Sequence, residues 1–317
     1  MGIESLSVVI PTWNGVSLVP DCLDTLYQQA QPLLEVIVAD SASTDGTPDL
    51  VERDYPAVRL VRMKANRGYT GATNEGIRVA SGSLVAVVNQ DVVLEPTWSQ
   101  AILEEAQAFP ASGSFATKIM LYDRRDHFHS AGDAFRVDGI PVNRGVWQKD
   151  EGQFDAPAEV FAACGGAAVY RRTMLDQVGL LDEGFFMYCE DVDLGWRHQL
   201  AGWTARYVPG AVAYHHLGAS GGGVLASYYT GRNTIFVLLK DLPGELLRKH
   251  GSAILAAQLK ISSEALKAWR GAAARARLRG QLAGLLNWPR LIRQRRLIQA
   301  SRKSAIDRIE GLLQPID

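Results

Sequence analysis

The sequence has few cysteines and no long apolar run. Its 317 residues include three cysteines, Cys22, Cys164 and Cys189, which are widely spaced and form no Cys-x-x-Cys pair. That number and spacing argue against a disulfide framework and against a zinc site. The apolar stretches fall far short of the roughly 20 residues that cross a bilayer. The first residues also lack the pattern of a secretory signal. We therefore expect a protein of the reducing cytoplasm.

A dinucleotide-binding glycine motif is also missing. A first strand is predicted over 6–10, and the residues that follow it are Pro11-Thr12-Trp13-Asn14-Gly15. A nucleotide-dependent dehydrogenase would carry Gly-x-Gly-x-x-Gly at this point, where the backbone must approach a pyrophosphate closely. This absence argues against dehydrogenase chemistry.

The composition is that of an ordinary globular protein, but its charge is unevenly distributed. Hydrophobic residues make up 47% of the chain and charged residues 21%. Residues 1–240 hold 18 Lys and Arg against 28 Asp and Glu, whereas residues 241–317 hold 15 against 6. The basic C-terminal segment predicts contact with something anionic, either a membrane surface or a nucleic acid. We disfavour nucleic acid because the segment has no recognition motif.

The first half alternates predicted strands and helices. Strands are expected over 6–10, 34–39 and 84–88, with a helix over 18–29 between the first two. This alternation is typical of βαβ units in a largely parallel sheet. Each strand ends in a polar or glycine-containing turn. Because ligands bind outside the carboxyl ends of such strands, we expect these turns to face one crevice.

The second half is less regular at first. Residues 115–161 are expected to form loops and short strands over the crevice. A strand over 161–170, helices over 172–178 and 190–200, and a pair of short strands over 205–214 follow. Beyond residue 223 the chain is predicted to be helical to its end, with breaks at Pro243 and Pro289.

Five polar clusters could carry chemistry, although each also has a plain structural explanation. Residues 66–74 are glycine-spaced, as in a loop whose backbone approaches a ligand but also as in ordinary turns. Asp40 and Asp45 follow a buried strand, where hydrophilic turns are common. Asp91 ends the apolar strand at 84–88 and would offer an oxygen ligand to a hard cation. The acids Glu190, Asp191 and Asp193 open a helix, which the helix dipole favours in any case. His215 and His216 follow a strand and are as consistent with a surface position as with metal ligation.

Taken in order, the clusters resemble glycosyltransferases of family 2, which have the GT-A fold. The resemblance covers about residues 5–240. Most of its segments are loose individually, but eight in the same order form a specific combination. The segments are VVIPTWNG, VADSASTDGT, NRGYTGATNEGI, VVNQDV, CGGAAVYRR, VGLLDEGFFMYCEDVDLGWR, VAYHHLGAS and YYTGRN.

The resemblance implies an α/β fold, a Rossmann-like GT-A mixed sheet flanked by helices, with a C-terminal helical extension. It implies a catalytic domain over 1–240, with a nucleotide-sugar half over about 1–114 and an acceptor half over about 115–240. Residues 241–317 would form a basic amphipathic helical tail.

The resemblance also implies an inverting, metal-dependent hexosyltransferase. Asp191 would be the catalytic base, and Asp91 and His215 would bind Mg²⁺ or Mn²⁺. Glu190, Tyr188 and Asn233 would contact the acceptor. The nucleotide-sugar donor would be contacted by Pro11, Thr12, Asn14, Asp40, Ser43, Asn66, Gly68, Asn74, Asn89, Gln90, Asp91, Gly165, Gly166 and Arg232.

Within the family, the likeness is to rhamnosyltransferases of bacterial cell-surface polysaccharide synthesis. The usual Asp-x-Asp metal motif is replaced here by Asn89-Gln90-Asp91, similar to the Asn-Pro-Asp variant of the rhamnosyl-like branch. The donor expected is dTDP-rhamnose, and the acceptor is a saccharide or a polyprenyl-diphosphate-linked sugar. The alternative is a UDP-sugar, in galactofuranosyl, glucosaminyl or galactosyl transfer. A processive synthase is disfavoured because such enzymes extrude product through membrane helices.

Two regions are left open by the sequence. Sugar discrimination is assigned to residues 115–161, where His127, His129, Asp133 and Arg144 are unranked candidates.

In the tail, residues 291–313 would place apolar side chains on one helical face, with Arg293, Arg296, Lys303 and Arg308 off it. This face would contact either the membrane or the protein itself, on the catalytic domain or on a second subunit. Membrane contact would place the enzyme at the inner face of the plasma membrane. The stripe comprises Leu291, Ile298, Ala305, Ile306, Ile309, Leu312 and Leu313.

Overall fold

The computed structural model describes residues 4–218 and 222–316, as twelve strands, eleven α-helices and a 3₁₀ turn at Glu183–Phe185. The strands are β1 (Leu6–Thr12), β2 (Glu35–Asp40), β3 (Arg59–Arg62), β4 (Leu84–Val88), β5 (Val92–Leu94), β6 (Ser112–Leu121), β7 (Phe128–Ser130), β8 (Asp133–Phe135), β9 (Pro141–Asn143), β10 (Ala158–Val160), β11 (Ala167–Arg171) and β12 (Thr204–His215). The helices are α1 (Val19–Tyr27), α2 (Thr47–Asp54), α3 (Gly68–Val79), α4 (Trp98–Ala108), α5 (Arg172–Val178), α6 (Glu190–Leu200), α7 (Gly223–Lys240), α8 (Gly244–Lys267), α9 (Ala272–Leu286), α10 (Trp288–Ala300) and α11 (Ile306–Glu310).

The centre of the fold is a mixed ten-stranded sheet. Its main path runs β10-β12-β6-β11-β4-β1-β2-β3, with β5 paired to β12 and β7 to β6. The strands β1 to β4 are parallel, as the sequence alternation predicts, whereas β11 runs antiparallel between β4 and β6. Every residue of β1 and β4 is buried, as expected for parallel strands covered by helices on both faces. Because β1 and β4 are parallel neighbours, their carboxyl ends lie side by side at one edge of the sheet.

Two strands differ from the sequence prediction. Residues 112–121, expected to be irregular from residue 115, form the fully buried strand β6. The predicted pair of short strands over 205–214 is the single long strand β12, whose register against β6 shifts between Val208 and Val212. Pro209 and Gly210 lie at that shift, and proline cannot donate to a strand ladder. The apparent break in the sequence is therefore a bulge inside one strand.

Apolar side chains form three clusters around the sheet. One includes Leu23 and Trp98 beneath α1 and α4, and the second includes Ile77 and Leu175 beneath α3 and α5. The third joins α6 to helices after residue 223, including Leu246, Leu291 and Ile309. The C-terminal helices therefore share a core with the rest of the chain.

The predicted continuous amphipathic helix over 291–313 is wrong. Helix α10 ends at Ala300 and α11 begins at Ile306. Between them, the Lys303 N–H donates to Leu200 O at 2.8 Å, and the Ser304 hydroxyl donates to Gln199 O at 2.6 Å. These bonds satisfy carbonyls at the end of α6, which have no partner within their own helix. Of the predicted stripe, Ala305 is exposed, and the other six side chains pack inward on the third cluster, so they do not form a membrane-facing stripe.

Pro243 and Pro289 lie at helix starts, as expected for residues that cannot continue a helix from within. Pro243 is the N-cap of α8, and Pro289 is in the first turn of α10. In the described parts of the chain, every helix is too short or too polar to cross a membrane.

Candidate active site

A cavity of about 650 Å³ opens at the carboxyl ends of β1 and β4, against the start of α6. The polar turns that were expected to share a crevice do meet here. The predicted site residues on its wall are Pro11, Thr12, Asn66, Gly68, Asn89, Gln90, Asp91, Gly165, Gly166, Tyr188, Glu190, Asp191 and His215.

Four further predicted donor-binding residues are not on the wall. Asp40 is buried, where it accepts hydrogen bonds from the Thr12 hydroxyl at 3.2 Å and from the Ser43 N–H at 3.0 Å. Asn14 and Ser43 join the loops after β1 and β2, because the Asn14 N–H donates to Ser43 Oγ at 2.8 Å. Asn74 is also buried and donates to Leu181 O at 2.9 Å. These four side chains shape the loops that carry the wall.

Arg232 and Asn233 are also absent from the wall, although the sequence assigned them to donor and acceptor. The Asn233 side-chain amide donates to Met187 O at 2.8 Å and to Tyr188 O at 2.7 Å. Arg232 donates to Phe185 O at 2.7 Å. Phe186, Tyr188 and Cys189 have positive φ, a conformation that costs non-glycine residues free energy and clusters at functional sites. The two α7 side chains therefore hold a strained loop immediately before Glu190.

A carboxylate and two imidazoles meet on one side of the cavity. Asp91 Oδ1 lies 3.0 Å from His215 Nε2, and His215 Nδ1 lies 3.0 Å from His129 Nδ1. Burial, followed by the neighbouring His215, lowers the pKa of His129 to about 3, so His129 is neutral at physiological pH. Asn89 Oδ1 is buried on the same wall without a hydrogen-bond partner among the described residues. Carboxylate, amide oxygen and imidazole are donors that suit Mn²⁺ or Mg²⁺. This side of the cavity therefore fits a divalent cation.

Asp191 lies on the other side, at the start of α6. Its Oδ2 accepts the Gly165 N–H at 2.8 Å, and its Oδ1 accepts its neighbour's N–H, that of Val192, at 2.8 Å. Burial raises the pKa of Asp191, while these N–H groups act in the opposite direction. A Cβ on Gly165 would lie 3.1 Å from Asp191 Oδ2, closer than side chains normally approach. The glycine therefore allows the backbone to hold the carboxylate.

Glu190 shares the wall beside Asp191. Its Oε2 is buried without a hydrogen-bond partner among the described residues. Burial, then the charge of Asp191, raises the pKa of Glu190 well above its ordinary value. A buried polar atom without a partner, facing a cavity, suits a hydrogen bond to a ligand.

The structure separates the four unranked candidates of residues 115–161. His129 and Asp133 line the cavity. His127 bonds Asp126 at 2.7 Å, and the Arg144 guanidinium lies 4.2 Å from the centre of the Phe154 ring. Cys164 also lines the cavity, and sequence reasoning gave it no role. Its place between a strand and Gly165-Gly166 was the signal that could have marked it.

A comparison of the sequence with protein families identifies the family of this chain. Residues 7–179 match the family described as glycosyl transferase family 2. The chain belongs to this family. The match spans β1 to α5 and so includes both Asp91 and the Gly165 loop, whereas Asp191 follows it. The end of the motif at 212–220 lies outside the described residues.

A relative from Mycobacterium tuberculosis is similar over most of the chain. It is an N-acetylglucosaminyl-diphospho-decaprenol L-rhamnosyltransferase, 31% identical over 260 residues, which are 75% of this chain and 85% of the relative. The family 2 chain is thus rhamnosyltransferase-like, as the Asn89-Gln90-Asp91 variant indicated.

Solved structures show the same fold at low sequence identity. GalNAc-T7 with UDP, GalNAc and Mn²⁺ superposes with a TM-score of 0.61 and 15% identity, covering 75% of this chain and 49% of its own. The mannosyltransferase PcManGT from Pyrobaculum calidifontis, with GDP-Man and Mn²⁺, has a TM-score of 0.55 and 19% identity, covering 94% and 86%. The fold is therefore the GT-A glycosyltransferase fold, with further helices after residue 240.

Proposed function

We propose that this family 2 protein transfers L-rhamnose from dTDP-rhamnose to a hydroxyl of a saccharide or polyprenyl-diphosphate-linked acceptor, with inversion. The observation that carries the proposal is that Asp191 and Asp91 line the same cavity. The acceptor hydroxyl would attack the anomeric carbon as the bond to the nucleoside diphosphate breaks, and its proton would pass to Asp191. The similarity to the mycobacterial rhamnosyltransferase supports rhamnose, and a UDP-sugar is the alternative donor.

The two sides of the cavity divide this work. Asp91 and His215, with Asn89 beside them, would hold Mg²⁺ or Mn²⁺. The cation would neutralise the charge that develops on the leaving diphosphate. Thr12 and Asn66 would contact the nucleoside, while Glu190 and Tyr188 would contact the acceptor. Residues 1–240 would form the catalytic domain, with the donor half before residue 115.

Donor binding is tested by thermal shift with dTDP-rhamnose and a panel of UDP-sugars, each with and without Mn²⁺. A donor at 100 times its Kd should stabilise the protein by about 2.7 kcal/mol, because it binds only the folded state. Asp91→Asn should remove the part of the shift that depends on Mn²⁺. A larger shift with a UDP-sugar would favour the alternative, and no shift with any nucleotide sugar would contradict transfer. NMR of the product anomer then tests inversion.

We also propose that the enzyme docks on the inner face of the plasma membrane through α8 and α9. On α9, Leu282, Leu285 and Leu286 are more than half exposed, and Arg275 and Arg279 lie on the same helical face. Exposed Lys260, Lys267 and Arg270 follow on and after α8. Exposed leucines bordered by basic side chains suit an anionic lipid surface, where a lipid-linked acceptor would lie. We use the name α9 outer face for the surface formed by Leu282, Leu285, Leu286, Arg275 and Arg279.

A further inference from the structure

Two carboxyl groups meet on the cavity wall, and one of them has no role in the proposed reaction. Asp133, at the start of β8, is buried and lines the cavity with Asp191. One oxygen from each carboxyl group and the sulfur of Cys164 all lie within 4.8 Å of one another. Two ionised carboxylates this close to each other in a buried site repel, which favours a proton on one of them.

The surrounding donors indicate where the proton is. Both oxygens of Asp191 accept backbone N–H groups, and such bonds favour the ionised form. Asp133 accepts the Asn143 amide at 2.9 Å and the Ser130 hydroxyl at 3.4 Å, both on Oδ1. Burial, then the charge of Asp191, raises the pKa of Asp133 well above its ordinary value. The arrangement leaves Asp191 as the acceptor and Asp133 as the donor.

We propose that Asp133 is a positioning residue, whose protonated carboxyl group donates a hydrogen bond to Asp191 and fixes its orientation towards the cavity. This proposal rests on the proposed function, because it concerns the base of that reaction. The donated bond stabilises the ionised form of Asp191, so that burial does not leave the base protonated in the working pH range.

The other titratable groups that face the pair are acids and a thiol, and burial raises the pKa of each of them. Glu190 lies on the same helical turn, and Tyr69 and Tyr170 face the pair from α3 and β11. Burial raises the pKa of the Cys164 thiol well above its ordinary value. A protonated thiol that accepts the Asn143 amide at 3.3 Å is a poor metal ligand. A shared proton therefore explains the cluster better than a bound cation.

Asp133→Asn and Asp133→Ala test the proposal. The asparagine keeps an N–H donor to Asp191, so kcat should stay within about threefold of wild type and the acid limb of the kcat profile should not move. The alanine removes the donor, which raises the pKa of Asp191. Its acid limb should therefore move about one unit to higher pH, so that kcat at pH values well below the pKa of the base should fall by about tenfold. Donor KM should be unchanged in both.

Asp138→Asn is the matched control, because Asp138 is buried nearby but pairs with Arg136 outside the cavity wall. It should leave the acid limb in place. If Asp133→Asn moves the limb to lower pH, Asp133 is ionised in the wild type and the proposal is wrong. An unchanged limb in Asp133→Ala, in a protein with normal melting temperature, would also overturn it.

Infrared difference spectra separate this inference from the proposed function, since they need no turnover. Wild type minus Asp133→Asn at pH 7 should contain the carbonyl band of a protonated carboxylic acid. If the band is present but wild type transfers no sugar, the proposed function is wrong, whereas the protonated state of Asp133 is supported. If the band is absent, Asp133 does not hold the proton, whatever the enzyme transfers.

Discussion

The environment of Asp191 suits a general base. Two backbone N–H groups hold its oxygens in place, and the titratable groups around it are acids. Burial without a neighbouring cation raises the pKa of Asp191, which makes the carboxylate more basic. A general base with a raised pKa accepts a proton from a hydroxyl more readily.

Asp191→Asn should lower kcat by about 10²- to 10⁴-fold, the usual contribution of a general base, while donor affinity stays close to wild type. Steady-state kinetics and donor thermal shift measure the two effects separately. Asp176→Asn, the same change on the exposed side of α5, is the control and should be neutral. Retained activity in Asp191→Asn would move the base elsewhere, with Glu190 as the next candidate.

At the scale of single residues, the sequence indicates which residues belong to the candidate site better than it indicates which groups they contact. Asp91 and the acid cluster that includes Asp191 were singled out because they follow a strand or open a helix, positions that can be inferred from local patterns, whereas their roles were implied by the family resemblance. The Asp133 contact could not be predicted, because β8 and α6 are brought together only by the complete sheet. Asn74, Arg232 and Asn233 have the polar character of ligand-binding groups, but their partners are backbone carbonyls whose positions depend on the fold.

Helices α6 and α7 are joined by a buried ion network. Lys240, at the end of α7, pairs with Asp182 at 2.9 Å and with Asp193 on α6. Asp193 also pairs with Arg197 at 2.8 Å. Burial acts to raise the pKa of Asp193, but Arg197 and Lys240 outweigh it and lower the pKa. The network therefore fixes the helix that presents Glu190 and Asp191, and its acids are ionised at neutral pH.

Lys240→Met should reduce the free energy of unfolding by about 3 kcal/mol at pH 7, because it leaves buried carboxylates without one of their cations. Because the pKa of Asp193 is lowered in the folded state, the stability it contributes is present above its unfolded pKa. That stability is lost as pH falls through the folded pKa. The difference between variant and wild type in urea titrations should therefore shrink in acid.

Lys249→Met is the matched control, since Lys249 pairs with Glu310 at 2.7 Å but its side chain is 62% exposed. Exposed pairs contribute about 1 kcal/mol or less, so this variant should unfold almost as wild type does. Equal losses in the two variants would mean that the α6–α7 network is not a special source of stability.

Whole strands and helices were predicted where the pattern is local and were missed where it is not. β1, β2 and β4 are short apolar runs that end at polar turns, and each was placed to within a few residues. β6 is buried along its whole length, yet its sequence SGSFATKIML mixes small, polar and apolar residues without a clear period. Its burial depends on β11 and β12, which lie far along the chain and pair with it from either side.

At the scale of the molecule, α9 reverses the usual arrangement of a surface helix. Its inner face includes the small residues Ala276, Gly280 and Gly284, and a Cβ added to Gly280 would lie only 2.1 Å from Tyr228 O on α7. Its leucines point outward instead, and Leu286 is 70% exposed. More than half of the exposed large apolar side chains in the described residues lie after residue 240. The close packing of α9 on α7 explains the glycines but not the leucines, which suggests that the α9 outer face has a partner.

The α9 outer face should bind anionic lipid, and a sedimentation assay with phosphatidylglycerol vesicles tests this. Leu282→Ser combined with Leu286→Ser should weaken binding by about tenfold or more, because two largely exposed leucines lose their apolar burial in the interface. The melting temperature should not fall, since neither side chain is buried in the protein. Leu34→Ser, a half-exposed leucine before β2, is the control.

Salt should weaken the binding of the wild-type protein to the vesicles, because each basic residue near the surface contributes about 1 kcal/mol of electrostatic attraction. Unchanged vesicle binding in the double variant would contradict the proposal, as would a dimer in solution that the same substitutions dissociate.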